Sequence, residues 1–271
     1  MAAAARAAHL IVDDEPRIFA DTLAQPLLAG RADEAIGYHR ASGDHPILAG
    51  ARAAAVTRSR YAEDRLAESA PDQYVILGAG LDSFAYRAEK TRVFEVDHPA
   101  TSRWKRELLA EAGIPLPGTV SFVAVDLENE PLTEQLVAGG FDPSRRAFVS
   151  WLGVSMYLTR EAIGRTLGLF TTLAPGTELV LDYLVPEELR DEAGRQYAQA
   201  IAGAAAQGGE PWVSFFSPEE MAALLGAYGF EVVEQVSQRD SVDPALWDRG
   251  DALHPSGLAF FAHAKVRSPG R

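Results

Sequence analysis

The chain has 271 residues and no cysteine, which excludes disulfides, thiolate catalysis and metal sites built on thiolates. Its 25 Lys and Arg residues against 38 Asp and Glu leave a net charge of −13. Such an acidic surface repels phosphate backbones and anionic headgroups, so neither nucleic acid nor membrane is expected as a partner. The Ala-rich run before Asp13 is too short for a membrane span. We therefore expect a cytoplasmic protein.

Residues 1–70 are mostly helical in pattern, most clearly at 51–66, where small and apolar residues recur at helical spacing. After Pro71 the pattern changes to apolar runs alternating with helical segments. The predicted strands are residues 74–77, 92–96, 120–125, 147–152, 178–183, 230–236 and 257–266. The predicted helices among them are residues 99–111, 131–138, 159–173 and 217–228, with a capping box expected at Thr159 and an N-cap at Ser217.

Strands that alternate with helices predict a parallel sheet built by right-handed crossovers. We expect one α/β domain in four parts. These are a helical cap at 1–70, a ligand-binding half at 71–185, a lid-like insert at 186–216, and a final helix with strands at 217–271.

Three features follow successive predicted strands, at the edge where open α/β sheets bind ligands. Gly78-Ala79-Gly80 forms a strand-to-helix turn, Asp97 ends the second strand, and Asp126-Leu127 follows the third. Glycines let a ligand approach the backbone, and a carboxylate accepts hydrogen bonds from both ribose hydroxyls. The second acid can accept from an adenine amine. Each feature alone is also typical of an ordinary turn or a solvated acid, but together they predict an adenosine-bearing cofactor.

The charge of the turn favours one such cofactor. Asp82 lies inside the turn and would repel a pyrophosphate, and the third small residue usual in nicotinamide dinucleotide sites is absent. S-adenosylmethionine, with a sulfonium and an amino-acid end, fits better. Arg58 offers a two-pronged donor for its carboxylate, unless it pairs with Glu63 or Asp64 on the same helix. A nicotinamide-dependent oxidoreductase and a non-catalytic cofactor-binding regulator remain alternatives.

Four segments carry a family resemblance: residues 58–64, 75–87, 93–99 and 150–158. Over about residues 5–265 the chain resembles the leucine carboxyl methyltransferase family. It is most similar to the bacterial branch of S-adenosylmethionine-dependent methyltransferases that includes polyketide carboxyl O-methyltransferases. The resemblance implies a class I, Rossmann-like α/β fold. It has a seven-stranded, mostly parallel sheet, an N-terminal helical cap and a helical insert after strand five.

The resemblance also implies roles for individual residues. It places Arg58 at the methionine carboxylate, Gly78 and Gly80 at the methionine backbone, Asp97 at the ribose, and Asp126 with Leu127 at adenine. Ala79, His98 and Leu152 are counted with them as cofactor-binding residues. Leu152 departs from the family pattern, because many relatives have a glutamate there that contacts the cofactor. The cofactor's amino group is therefore expected to rely on the Gly78 carbonyl or on another acid.

Methyl transfer from a sulfonium depends mostly on alignment. A carboxylate acceptor needs no base, whereas a hydroxyl does. The candidate catalytic residues are Asp182, Tyr183 and His254, with His39 and His45 as further candidate bases. Tyr183, Trp212 and Phe216 are candidates for a substrate pocket, although such aromatics are equally typical of a core. We expect a small-molecule acceptor and no metal. The acceptor's identity and the oligomeric state stay open.

Overall fold

A seven-stranded sheet runs through the computed structural model, which describes residues 2–88, 90–126, 132–209 and 211–268. The strands are β1 Gln73–Leu77, β2 Arg92–Asp97, β3 Val120–Ala124, β4 Ala147–Trp151, β5 Glu178–Leu184, β6 Phe230–Ser237 and β7 Ala259–Val266. Each predicted strand is present, with its ends shifted by at most two residues.

The strand order is β3-β2-β1-β4-β5-β7-β6. Strands β1 to β5 pair in parallel, and β7 lies antiparallel between β5 and β6. This confirms the predicted mostly parallel sheet. The order reverses at β1, because β2 lies on one side of it and β4 on the other. In such sheets ligands bind outside the carboxyl ends of the strands at this reversal.

Helices precede the sheet and connect its strands. They are α1 Ala2–Val12, α2 Ala32–Ala41, α3 Pro46–Ser69, α4 Phe84–Arg87, α5 Pro99–Glu111, α6 Leu132–Ala138, α7 Arg160–Phe170, α8 Glu192–Gln207 and α9 Pro218–Ala227. The third helix starts before the predicted 51–66, because Pro46 occupies its first turn and His45 accepts the Ile47 N–H. None of the helices in these described segments is both long and apolar enough to cross a membrane.

The helix caps refine two predictions. Ser217 accepts the Glu220 N–H, and the Glu220 side chain accepts the Ser217 N–H, so α9 begins with a complete capping box. Thr159 accepts the Ala162 N–H at the start of α7. The predicted capping box at Thr159 is wrong, because Ala162 has no side-chain acceptor to bond back to the cap.

Side chains on alternate strand residues pack against different helices. Val75 and Leu77 share a core with residues of α6, α7 and α9. Tyr74 and Ile76 share a second core with residues of α3 and α4. Both faces of the sheet are therefore covered, which explains why β1 and β5 are buried along their whole length.

The N-terminal helices and the insert both contact α3. Helix α1 packs on α2 and α3, and α8 packs on α3. Ala198 of α8 is buried with Met156 and Leu184, close to the end of β5. The division into cap, ligand-binding half, insert and C-terminal part stays a prediction.

Candidate active site at the carboxyl edge of the sheet

The glycine turn after β1 requires glycine at Gly78 for two reasons. Its φ is +65°, in the left-handed region that side chains rarely adopt. A β-carbon at this position would also lie 2.5 Å from Cγ2 of Val154. Gly80 has a φ of +44°, but a β-carbon there would meet nothing closer than 3.8 Å. The backbone at Gly78 therefore packs closely against the segment that follows β4.

Asp97, at the end of β2, is bonded to this turn. Its Oδ2 accepts the Gly80 N–H at 2.6 Å, and its Oδ1 accepts the His98 N–H at 2.7 Å. The His98 ring is exposed, and its Nδ1 accepts the Ala100 N–H at 3.2 Å as the N-cap of α5. The structure thus brings Asp97 to the predicted turn, while the His98 side chain caps a helix.

The third predicted feature follows β3. The Val125 N–H bonds to the Asp97 carbonyl at 2.9 Å, so the ends of β2 and β3 are held side by side. Asp126, the next residue, is half-buried. Leu127, predicted to pack on an adenine ring, lies outside the described residues. The turn, Asp97 and Asp126 consequently follow three neighbouring strands at one edge of the sheet.

A cation and an acid meet beside the turn. Nη1 of Arg58, on α3, lies 3.8 Å from Oδ2 of Asp182, on β5. Asp182 is buried, and its Oδ1 accepts the Gly153 N–H at 2.6 Å. Burial raises the pKa of the Asp182 carboxyl, against the opposing effects of the Arg58 charge and the Gly153 N–H. Two residues predicted for different roles, Arg58 for the cofactor and Asp182 for catalysis, are thus neighbours.

Two residues near Arg58 have different surroundings: Leu152, a predicted cofactor residue, and Arg60, which lies two residues further along α3. Leu152 packs on the core beneath α3 and α4, and its side chain carries no hydrogen-bond acceptor. Arg60 turns away from Arg58 and Asp182, because its Nε donates to Asp64 at 2.6 Å and its Nη1 to the Ile18 carbonyl at 3.3 Å. Arg58 is therefore the arginine of this pair that reaches the edge of the sheet.

Two predicted pocket residues lie in the core. Tyr183 is fully buried, its hydroxyl donates to Gln235 Oε1 at 2.7 Å, and burial raises its pKa far above the usual range. Phe216 is buried in the same core, with the Arg160 guanidinium over its ring. Trp212, inside the predicted insert, is partly buried against the cluster that contains Ala198 of α8. The three aromatics therefore do not line one wall.

The candidate histidine bases are dispersed. His254 is exposed in the loop before β7. His39 is buried in the N-terminal cap, where its Nδ1 accepts from Arg52 Nη1 at 3.2 Å. His45 caps α3. Among the described parts of the chain, no group of three or more histidine and acidic side chains is arranged to hold a metal ion.

Sequence reasoning missed three residues that shape the site. Gly153, with a φ of +69°, leaves room for Arg58, because a β-carbon there would lie 2.6 Å from Nη1. Val154 packs on Gly78. Tyr197, on α8, lies over Gly50, whose β-carbon would be 2.7 Å from the tyrosine Cδ2. The glycine at 153 lies in a segment that carries the family resemblance, whereas no local signal indicates Tyr197.

Comparisons with known proteins identify relatives of the chain. The model of the leucine carboxyl methyltransferase family matches residues 1–171. YktD of Bacillus subtilis (strain 168), a candidate S-adenosyl-L-methionine-dependent methyltransferase, is 35% identical over 197 residues, which are 71% of this chain and 64% of YktD. The chain thus spans less than two thirds of the length of this relative.

Solved structures share the fold. A candidate methyltransferase from Thermobifida fusca superposes with a TM-score of 0.60 at 22% identity, covering 99% of this chain and 95% of that one. Human N-acetylserotonin methyltransferase, solved in complex with S-adenosylmethionine, gives a TM-score of 0.51 at 11% identity, over 85% of this chain and 58% of that one. These likenesses confirm the predicted class I α/β fold.

Proposed function

Because the chain belongs to the leucine carboxyl methyltransferase family, we propose that it transfers a methyl group from S-adenosylmethionine to an oxygen of a small molecule. The acceptor oxygen is a carboxylate or a hydroxyl, and the acceptor is a secondary metabolite. The cytoplasmic location expected from the sequence remains part of this proposal. The family membership supports the transfer chemistry, and the geometry at the sheet edge supports the cofactor.

One observation carries the proposal: the left-handed glycine turn is hydrogen-bonded to Asp97 and lies beside the Arg58–Asp182 pair. These groups fit the cofactor's parts. Asp97 has two oxygens for the ribose hydroxyls, and Arg58 is a cation for the methionine carboxylate. The open space around Gly80 admits the ligand to the backbone. The proposed cofactor residues are Arg58, Gly78, Ala79, Gly80, Asp97, His98, Asp126, Leu127 and Leu152.

The cofactor supplies a methyl group on a sulfonium, which is a good leaving group. The residues of the chain therefore need to bind both molecules and align the acceptor oxygen with the methyl group. The Tyr183 hydroxyl is held by Gln235 in the core, and Asp182 is turned to Arg58 and Gly153. Neither side chain is therefore positioned to act as a general base towards an acceptor. This favours an acceptor oxygen that is already ionised. A carboxylate meets that condition at neutral pH.

Calorimetry tests the cofactor. The protein should bind S-adenosylmethionine and S-adenosylhomocysteine, and should not bind NAD. Binding of NAD alone would favour the oxidoreductase. Binding of S-adenosylmethionine without methyl transfer to any small acid or alcohol would favour the regulator.

The attacked atom has its own test. The protein is incubated with S-adenosylmethionine labelled in its methyl group and with a panel of carboxylic acids and phenols. Methyl esters release labelled methanol in mild alkali, whereas methyl ethers do not. Alkali-stable label on the product would contradict the carboxylate acceptor and require a hydroxyl acceptor with a base.

A further inference from the structure

Asp182, the acid beside Arg58, is almost completely buried. Asp182 is 3% exposed, on the α3-facing side of β5. Oδ1 accepts the Gly153 N–H, and Oδ2 lies 3.8 Å from Arg58 Nη1. That separation is longer than a hydrogen bond. The two charges therefore attract each other without being directly bonded.

A buried carboxylate is costly unless it is paired and hydrogen-bonded. Burial raises the pKa of Asp182, and Arg58 with the Gly153 N–H offsets only part of that effect. The side chain of Arg58 keeps about a fifth of its surface exposed, so it is shared with the open edge of the sheet. The carboxylate thus has capacity for a second cation.

The surroundings define what that cation could be. Gly153 bonds Asp182, and the next residue, Val154, packs directly on Gly78 in the turn. Leu152, on the same segment, offers no acceptor. A cation-binding acid and an anion-binding arginine thus both lie against Gly153, whose neighbour Val154 packs on the glycine turn. That pair of charges matches a zwitterion whose ammonium and carboxylate sit on one carbon.

We propose that Asp182 binds the ammonium group at the amino-acid end of the cofactor, while Arg58 binds the carboxylate of the same end. This inference rests on the proposed function. It gives Asp182 a binding role in place of the general-base role considered from the sequence. It also supplies the acid that Leu152 does not.

Three ligands separate the two charges. These are S-adenosylhomocysteine, its analogue without the amino group, and its analogue without the carboxyl group. Binding of each is measured by calorimetry to the wild-type chain and to Asp182→Asn and Arg58→Ala. Glu178→Gln is the matched control, because Glu178 is also a buried, ion-paired acid on β5 but lies at the opposite end of the strand.

Asp182→Asn should weaken S-adenosylhomocysteine and the carboxyl-free analogue by roughly 10- to 100-fold, the usual effect of losing a charged hydrogen bond. It should leave the amino-free analogue unchanged. Arg58→Ala should weaken S-adenosylhomocysteine and the amino-free analogue and leave the carboxyl-free analogue unchanged. Glu178→Gln should bind all three ligands like the wild type. Wild-type protein should itself bind the amino-free analogue roughly tenfold or more weakly than S-adenosylhomocysteine. That readout needs no folded variant.

Several outcomes would overturn the inference while the proposed function stands. They are equal wild-type binding of S-adenosylhomocysteine and the amino-free analogue, unchanged binding in Asp182→Asn, or an equal loss for all three ligands. A loss for S-adenosylhomocysteine and the amino-free analogue, with the carboxyl-free analogue unchanged, would show that Asp182 only positions Arg58, and would also overturn it. If the wild-type chain binds no S-adenosylhomocysteine at all, the proposed function itself fails.

Discussion

Gly80 donates its backbone N–H to Oδ2 of Asp97 at 2.6 Å, so the acid that ends β2 is bonded to the turn that ends β1. The same carboxylate accepts the His98 N–H through Oδ1. A carboxylate oxygen can accept more than one hydrogen bond. Asp97 can therefore hold the turn in shape and still accept from a ribose diol.

Asp97→Ala should weaken S-adenosylhomocysteine binding by about 1–3 kcal/mol, because the ribose hydroxyls lose a charged acceptor. Calorimetry gives the dissociation constant. Because the Gly80 and His98 N–H groups lose the same acceptor, thermal unfolding is measured in parallel. Asp97→Asn, which keeps one acceptor oxygen, should lose less affinity. An unchanged dissociation constant in Asp97→Ala would remove this residue from the site.

Arg58→Ala should lower cofactor affinity by roughly tenfold or more, because a charged donor to the methionine carboxylate is lost. Arg60→Ala is the matched control on the same helix, and its effect should be smaller, since its contacts go to Asp64 and the Ile18 carbonyl. A titration of both variants with S-adenosylhomocysteine decides. If only Arg60→Ala loses affinity, the assignment of the helix face is wrong.

The two glycines of the turn should respond differently to alanine. Gly80→Ala has room for its β-carbon and should lose about 1–2 kcal/mol of unfolding free energy, the cost of a left-handed backbone. Gly78→Ala should lose more, because its β-carbon also meets Val154. In urea unfolding, Val154→Ala should be less harmful in the Gly78→Ala background than alone. Strictly additive effects would rule out the contact.

The insert at 186–216 is proposed to act as a lid. Helix α8 touches α3 through Tyr197 at Gly50, on the same helix as Arg58. Hydrogen exchange should slow near Gly78, Asp97 and Asp126 when S-adenosylhomocysteine binds, and also within 186–216. Strand β6, the outermost strand of the sheet beyond β5 and β7, serves as the internal control. Identical exchange of the insert in both states, even with an acceptor analogue, would end the lid proposal and leave the cofactor assignment intact.

A buried charge network should make the N-terminal cap sensitive to acid. Arg52 bonds Asp13 and also donates to His39 Nδ1. Burial and the Arg52 charge lower the pKa of His39. Burial alone would raise the pKa of Asp13, but hydrogen bonds from His9 and Arg52 lower it overall. For both groups the unfolded chain takes up protons more readily than the folded one. Their contribution to stability is therefore present above the unfolded pKa and lost as the pH falls.

The measurement is the free energy of unfolding in urea at about pH 7.5 and about pH 5.5, on either side of the ordinary histidine pKa. The wild-type chain should be less stable at the lower pH. His39→Asn keeps an acceptor near the Arg52 donor and cannot be protonated, so it should lose less stability between the two conditions. A variant with the full wild-type pH dependence would show that His39 does not contribute to it.

Local sequence patterns determined the sheet and its ligand-binding edge. Apolar runs predicted central strands such as β1 and β5, because strands covered on both faces bury consecutive residues. The turn at Gly78 and the acid at Asp97 were recognisable for the same kind of reason. The turn directly follows β1 and Asp97 is the last residue of β2. Neighbouring parallel strands end at the same edge of the sheet, so the two features come together there.

The tertiary structure decided which of these side chains meet. Asp182 and Tyr183 are adjacent in sequence, and alternation along a strand predicts only that they face opposite ways. The helices that cover each face determine that Asp182 faces Arg58 while Tyr183 enters the core. The Arg58–Asp182 pair and the Tyr197–Gly50 contact join elements far apart in the chain. Such contacts depend on how whole helices pack on the sheet, which no local spacing of residues encodes.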